Sequence, residues 1–498
     1  PWQVWFTPFC PRVVAMLQAR GRGDAMAIRV VSYNVLSPRL CDPTLFPTCD
    51  PAALGEKDRY AQLILKLQPH VEESAIVCLQ EVSLSWVGKL QVFFAAHEYT
   101  LLANNYHSAA TGYMGVAMGY PTRQFELQQM KLIKIGDLLQ AGDRQCKDRE
   151  EALDTDLCKV CDGTSLLLGD TCPLCEGLVP DAPFDYWRAA RTSPQVLLYA
   201  QLKPVDGETA LAVSTYHMPC KFGSPEREAM MVIHAGLAAR EVQTLAAAAG
   251  SASRSKPLPC VFCGDFNIKP GDPAYELLTR GVLDPQSPSF PRPADGHTWE
   301  PRLRVPMRSA YAERTGREPP FTNRAQTTPW SGGSEAARAL GPRIAVRRTA
   351  RSEAEVAAAE RGFHLERARL VEAGLLDPVF TACLDYIFVC GQIAVSEVLP
   401  LPVGPPSGMF DVFPTSSEPS DHLLIGATLS LEMPSLSPEL RAAAEELFAK
   451  APPKPRGKPT EAEKATLQSH AALLREFEKG LLESQAEQLP WRVTRKRR

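Results

Sequence analysis

The stretch Cys260-Val261-Phe262-Cys263-Gly264-Asp265-Phe266-Asn267 decides the fold. Its first residues are apolar on both alternating sides, the pattern of a strand buried on both faces. It then runs out into an acid and an amide. Asp265 and Asn267 stand two apart, so their side chains leave the same face of the strand, and Phe266 points the other way into a core. Gly264 lets a neighbouring backbone approach closely. An ionised carboxylate at the end of a buried strand is costly unless it is paired or binds a metal.

The same pattern recurs. Ser32-Tyr33-Asn34, Gln80-Glu81, Tyr216-His217 and Ser420-Asp421-His422 are polar where a buried strand should stay apolar, and Leu384-Asp385-Tyr386 places one carboxylate inside an apolar run. Together they offer Glu81, Asp265, Asp385 and Asp421 with Asn34, Asn267, His217 and His422. Such an oxygen-rich, thiolate-free set suits Mg²⁺ or Mn²⁺, as one or two ions, and not zinc. The matching chemistry is metal-assisted hydrolysis of a phosphate ester.

Around these segments the chain alternates strands and helices. Strands are predicted over 28–36, 75–82, MGVAMGYP with FELQQMKLI as a pair, QVLLYAQLKP with ALAVSTYHM as a pair, PCVFCGDFN, TACLDYIFVCG and DHLLIGATLSLE. Helices are predicted over 56–69, closed by Pro69, over WVGKLQVFFAAH, and over 225–249. Hairpin-type pairs among interspersed helices point to an α/β sandwich of mixed sheets, not a doubly wound parallel sheet. Two insertions interrupt the pattern: a charged one over 140–182, and an Arg/Ala/Glu-rich one over 324–376, whose helix starts at Ser352 with a capping box to Glu355 and stops at Gly374. Residues 433–498 read as a Pro-punctuated helical extension with a basic tail, Arg495-Lys496-Arg497-Arg498.

Composition bounds the partners. The 498 residues (54.6 kDa) are 45% hydrophobic and 22% charged, which fits a soluble globular chain. The net charge of −3 argues against a globally basic polyanion binder but leaves local patches open. No run is long and apolar enough for a membrane span. Residues 1–27 are apolar and then basic, the wrong order for a signal peptide, and read as a fragment edge or presequence remnant.

Of 14 cysteines, Cys158-x-x-Cys161 and Cys172-x-x-Cys175 form two close pairs on short turns, the spacing of a small structural zinc knuckle. Two redox pairs or free thiols are the alternatives. Cys260 and Cys263 sit in an apolar run and read as small core residues. Many unpaired cysteines suit a reducing compartment, cytoplasm or nucleus, with an organelle also open. His107, His234, His297 and His364 lie outside the motifs and read as surface or core histidines.

The set SYNVL, LQEV, TYHMP, GDFN, LDYIF and SDH, in that order over about 28–432, resembles the exonuclease–endonuclease–phosphatase superfamily. The resemblance implies a four-layer α/β/β/α sandwich with its site at one edge of two mixed sheets. It implies that Glu81 is the main metal ligand with Asn34 beside it and Asp421 a further carboxylate. Asp265 and Asn267 then bind or orient water and a second metal or the phosphate. His422 contacts the scissile phosphate, Asp385 fixes its tautomer, and His217 steadies the developing charge.

Arg308-Ser309-Ala310-Tyr311 and Glu318-Pro319-Pro320-Phe321-Thr322-Asn323 resemble the carbon catabolite repressor deadenylase, nocturnin and angel group. In that group an aromatic five residues before the strand aspartate packs on a base, the place of Phe380 here. Asn323, Arg188 and Arg191 are further candidate substrate contacts. The resemblance implies a Mg²⁺-dependent 3′→5′ exoribonuclease acting on single-stranded RNA, poly(A) favoured, and releasing 5′-AMP. A nucleotide phosphatase or 2′,5′-phosphodiesterase on a small nucleotide, and a non-catalytic RNA-binding scaffold, are the alternatives. There are no leucine-rich repeats for docking to a deadenylase complex, and the C-terminal helices are the candidate surface for protein partners.

Overall fold

A computed structural model describes residues 27–139, 166–167, 170–171, 184–205, 209–252, 257–293, 299–328, 333–404 and 409–431, with single positions 446, 460, 466 and 469. Cys158, Cys161, Cys172, Cys175 and, those four positions apart, the C-terminal extension lie outside them.

The chain runs β1 (Ala27–Asn34), α1 (Glu56–Glu72), β2 (Ile76–Val82), α2 (Leu84–Ala96), β3 (Tyr99–Asn105), β4 (Gly115–Pro121) and β5 (Phe125–Lys134). After a two-residue hairpin, β6 (Leu166–Leu167) and β7 (Asp170–Thr171), come α3 (Tyr186–Thr192), β8 (Val196–Pro204), β9 (Leu211–His217), α4 (Pro225–Ala252), β10 (Cys260–Asp265) and α5 (Pro273–Arg280). The last part is β11 (Arg308–Ser309), α6 (Ala310–Thr315), β12 (Asn323–Ala325), α7 (Gly333–Thr349), α8 (Glu353–Glu372), β13 (Phe380–Ala382), β14 (Asp385–Cys390), β15 (Ala394–Val398) and β16 (Ile425–Ser430).

Two six-stranded mixed sheets result, β15-β16-β1-β2-β4-β3 and β11-β14-β10-β9-β8-β5. Strand alternation sorts side chains into layers. Val30, Cys78, Val213, Val261 and Ile387 fill the space between the sheets. Their neighbours Val31 and Leu79 face outward onto α1 and α2, against Leu63, Leu67, Trp86 and Phe94. Ala212, Phe262 and Phe388 face the other way, onto Val232 and Val242 of α4 and Leu277 of α5. This is the four-layer α/β/β/α sandwich. Each sheet has one parallel pair, β1 with β2 and β9 with β10. The carboxyl ends of these pairs carry Asn34, Glu81, His217 and Asp265.

Three expectations need correction. MGVAMGYP and FELQQMKLI are strands β4 and β5, but they do not pair: β4 lies between β2 and β3 in one sheet, and β5 pairs with β8 in the other. The connection at Pro121–Gln124 steps between sheets. Burial explains why: β4 is buried throughout, whereas β5 is an edge strand with much of its length exposed. Helix α1 does not close at Pro69 but continues to Glu72, because a proline in the last turn removes only one N–H from the ladder. The segment 324–376 is not wholly an insertion. Its first residues belong to β12, which pairs with β13 (Asn323 opposite Ala382), so the α7–α8 helix pair is an excursion whose ends meet. Within it, α8 has the capping box of Ser352 with Glu355, and Gly374 takes a left-handed φ of 68°.

His234 on α4 is a buried core histidine. Its Nε2 donates to the Ala190 carbonyl at 2.9 Å, and its Nδ1 accepts from the Tyr216 hydroxyl at 2.7 Å. A neutral ring makes both bonds in this way, and burial lowers its pKa from 6.5 to about 4 against the opposing Ala190 carbonyl. On acidification the unfolded chain therefore takes up this proton first. The contribution of His234 to stability is full above about pH 6.5 and is lost as the pH falls towards 4, a loss of roughly 3 kcal/mol. Urea midpoints for the wild type should fall between pH 7 and pH 4.5 more steeply than those of His234→Gln. Parallel slopes would rule out this histidine as their source.

Candidate active site

Glu81 owes its direction to a defect in its strand. In the ladder between β2 and β4, Gln80 pairs with Val116 and Val82 with Gly115, so Glu81 is the unpaired extra residue of a bulge. Its backbone is left-handed, with φ 57°. Asn267 is left-handed too, at φ 51°. Such backbones cost about 1–3 kcal/mol each and persist where surroundings fix them. Here they are fixed. Glu81 Oε1 accepts from Asn34 Nδ2 at 3.0 Å and Oε2 from the Ser37 N–H at 3.0 Å. Asn267 N–H donates to Asp265 Oδ1 at 2.9 Å, and its Nδ2 to the Met218 carbonyl at 3.0 Å.

Asp265 is the hub. Its Oδ2 accepts from Asn34 Nδ2 at 2.9 Å and lies 3.5 Å from His217 Nε2 and 3.6 Å from His422 Nε2. Gly264 makes this placement possible: a Cβ there would lie 1.9 Å from the Tyr216 carbonyl oxygen. Two sets of groups are close enough to hold a metal ion, Glu81 with His217 and Asp265, and Asp265 with Asp385 and His422. Among the described residues no lysine or arginine forms an ion pair with Glu81, Asp265 or Asp421. Buried carboxylates facing one another without a lysine or arginine partner fit a divalent cation, and oxygen donors with one imidazole are suitable ligands.

His422 and Asp385 form the second half. His422 Nδ1 is 2.7 Å from Asp385 Oδ2. Thr322 sets that oxygen: its hydroxyl accepts the Leu384 and Asp385 N–H groups at 2.9 and 3.0 Å, which turns its own proton onto Asp385 Oδ2 at 2.6 Å. Burial acts first on both partners, raising Asp385 and working against a charged His422. The carboxylates of Asp385, Asp265 and Asp421 outweigh it at the imidazole, whose pKa stands well above its ordinary value. Asp385 Oδ1 is buried without a protein partner among the described residues.

The structure thus brings Asn34, Glu81, His217, Asp265, Asn267, Asp385 and His422 to one rim between the sheets. Asp421 stands beside them and outside both closest groups; its Oδ2 accepts from Asn323 Nδ2 at 3.1 Å, so these two predicted residues hold each other. Phe380 is 38% exposed at the start of β13. Arg188 and Arg191 lie on α3, whose Trp187 and Ala190 are buried in the outer core, and no contact is seen between Arg188 and the acidic cluster among the described residues.

Sequence reasoning missed four residues. In the sequence Thr322 is only one residue of the EPPFTN motif. Tyr106 has a buried hydroxyl with no partner among the described residues; burial, then the charges of Glu81 and Asp265, raise its pKa. His107, which reads from sequence as a surface or core histidine, is lowered to about 4 by burial and by His217, with Glu81 opposing, so it adjoins the site's charges. Arg59 is 1% exposed. Its Nε donates to the Pro419 carbonyl at 2.6 Å, and its Nη2 to those of Val35 and Leu36 at 2.8 and 2.5 Å. One guanidinium therefore joins the segment after Asn34 to the loop before Asp421. Seven residues on, Lys66 pairs with Glu418 of that loop.

Two face-to-face mixed sheets with carboxylates and imidazoles converging on their common rim define a phosphoesterase. The chain belongs to the endonuclease/exonuclease/phosphatase family, whose profile matches residues 31–422. Among solved structures, ANGEL2, a 2′,3′-cyclic phosphatase, is similar with a TM-score of 0.50 at 16% identity, over 82% of this chain and 96% of that one. Its complex with adenosine-2′,3′-vanadate gives 0.50 at 16%, over 83% and 100%. The human Nocturnin catalytic domain with bound sulfate gives 0.41 at 15%, over 84% and 98%. At these identities the likeness concerns the fold. No curated protein sequence matches the chain.

Proposed function

We propose that the chain is a Mg²⁺- or Mn²⁺-dependent phosphodiesterase that shortens single-stranded RNA from its 3′ end, with A-tailed ends preferred and 5′-AMP released. The observation that carries the hydrolytic part is Asp265, a buried carboxylate facing Asn34, His217 and His422 at 2.9, 3.5 and 3.6 Å with no lysine or arginine paired to it among the described residues. The RNA part rests on the exposed Phe380 ring, a stacking surface for a base, and on the RSAY and EPPFTN motifs.

Glu81 and Asp265, with Asn34 beside them, would hold the cation. When bound, it supplies Lewis-acid polarisation of a phosphoryl oxygen and a water of lowered pKa. The protein groups do the rest. Asp265 and Asn267, joined through the Asn267 N–H, orient the attacking water. His422, charged and held by Asp385, faces the anionic phosphate, and His217 stabilises negative charge as it develops. In-line displacement breaks the P–O bond to the departing strand and leaves the phosphate on the released nucleotide.

5′-labelled RNA with and without an A-tail, incubated with the full chain and Mg²⁺, tests this reading. The expected result is stepwise loss of the tail with 5′-AMP as product. Inactivity on both RNAs overturns it. Activity only on a small 2′- or 2′,3′-phosphorylated nucleotide would move the assignment to the nucleotide phosphatase class, the activity named for ANGEL2.

A further inference from the structure

The geometry points to Lys269 as the residue that reads a second phosphate of the substrate, beside the one that is cut. The inference rests on the phosphoesterase reading above and deepens it, since it commits the substrate to at least two phosphate groups.

Lys269 Nζ lies 5.4 Å from the ring centre of Phe380 and 5.7 Å from that of Phe222, within cation–π range of both. All three residues come from segments that leave the acidic cluster. Phe222 follows His217 by five residues, Lys269 follows Asn267 by two, and Phe380 precedes Asp385 by five. The Cα atoms of Lys269 and Asn267 are at most ~7 Å apart. The backbone of Lys269 therefore leaves directly from the site.

The lysine is anchored at both ends. Its N–H donates to Asp272 Oδ2 at 2.7 Å, and the Asp272 N–H returns to the Lys269 carbonyl at 3.0 Å, closing a turn. The two rings hold the ammonium, so much of the rotamer entropy a surface lysine loses on binding is already lost. No carboxylate pairs with this ammonium among the described residues. An aromatic face attracts the charge but provides no anionic oxygen, so the N–H donors stay available. Lys269 is exposed. A fixed, solvent-facing ammonium without a counter-ion, adjoining a phosphate-cutting centre, is matched by a flanking phosphate: the next diester of a strand, or the second phosphate of a doubly phosphorylated nucleotide.

The test uses Lys269→Met, which keeps the aliphatic stem and removes the charge, and Lys269→Arg, which keeps the charge. Fluorescent A-tailed RNA is titrated onto the full chain carrying Asp265→Asn, with and without each Lys269 change, across a salt series. The expected result for Lys269→Met is about tenfold weaker binding and a log Kd against log salt slope shallower by about 0.7, with Lys269→Arg restoring both. In the otherwise wild-type chain, Lys269→Met should raise KM for RNA far more than it lowers kcat. An unchanged salt slope, or an arginine variant as weak as methionine, overturns the assignment. Hydrolysis of bis(p-nitrophenyl) phosphate by the unmutated chain is scored separately. Its absence with both Mg²⁺ and Mn²⁺ sinks the phosphoesterase reading, whereas the salt slope and the arginine variant decide Lys269.

Discussion

Asp265→Asn should reduce phosphodiester hydrolysis by about 10³-fold or more and leave the fold intact. The substitution is nearly isosteric, and the amide oxygen can still accept the Asn267 N–H that Oδ1 accepts at 2.9 Å. Three things are lost. The Asn34 amide, 2.9 Å from Oδ2, now meets a donor instead of an acceptor. The two imidazoles at 3.5 and 3.6 Å lose the carboxylate between them. The cation loses the one ligand shared by both groups of potential donors. Thermal unfolding separates these effects from simple damage. Mg²⁺ or Mn²⁺ at 100 times its Kd should stabilise the wild type by about 2.7 kcal/mol, and this gain should vanish in the variant while its metal-free Tm stays within a few degrees. If the metal shifts both proteins equally, Asp265 is not a ligand. If the variant retains wild-type turnover, the site has been misplaced.

The residues around Asp265 were legible because buried strands leave a clear signature when they break it. An acid or amide at the end of VFCGDFN, CLQEV or VVSYN has no ordinary place there, and local sequence alone exposes the anomaly. What lay beyond sequence reading was non-local. Thr322 reaches Asp385 across 63 positions, and nothing in EPPFTN says which residue its hydroxyl meets. The step between sheets after Pro121 looks like a hairpin because three residues connect two strands in either case; only the pairing partners distinguish them. Glu81 was recognisable as an acid but not as a bulge, since a bulge is a relation between two strands. Arg59 did leave a trace. The buried stripe of α1 is Arg59, Leu63, Leu67 and Val71, each four residues from the last, so a cation occupies an apolar phase of the helix. A charge on that stripe has to be satisfied from within, and its partners turn out to be backbone carbonyls of the catalytic segments.

Arg59→Met should therefore impair both stability and turnover, in distinguishable ways. Methionine fills similar space and can pack on Trp86, whose ring lies 5.4 Å from the guanidinium carbon. It leaves the carbonyls of Val35, Leu36 and Pro419 without their donor. Buried groups left unpaired cost about 1–3 kcal/mol each, so the loss should be roughly 3 kcal/mol or more. A purely structural role would stop there, and the remaining folded protein at low temperature would turn over normally. The geometry requires more. Asn34 precedes Val35, and Asp421 and His422 follow Pro419, so releasing these carbonyls frees both walls of the site together. Misplacement by about 1 Å can cost ~10²-fold in rate. The expected result, measured well below the variant's Tm, is a kcat reduced by about that factor and a higher metal concentration for half-maximal activity. Arg59→Lys should recover part of the stability but less of the rate, because one ammonium cannot span the three carbonyls in the geometry of a planar fork. Normal kcat and metal dependence in folded Arg59→Met would reduce Arg59 to a core residue.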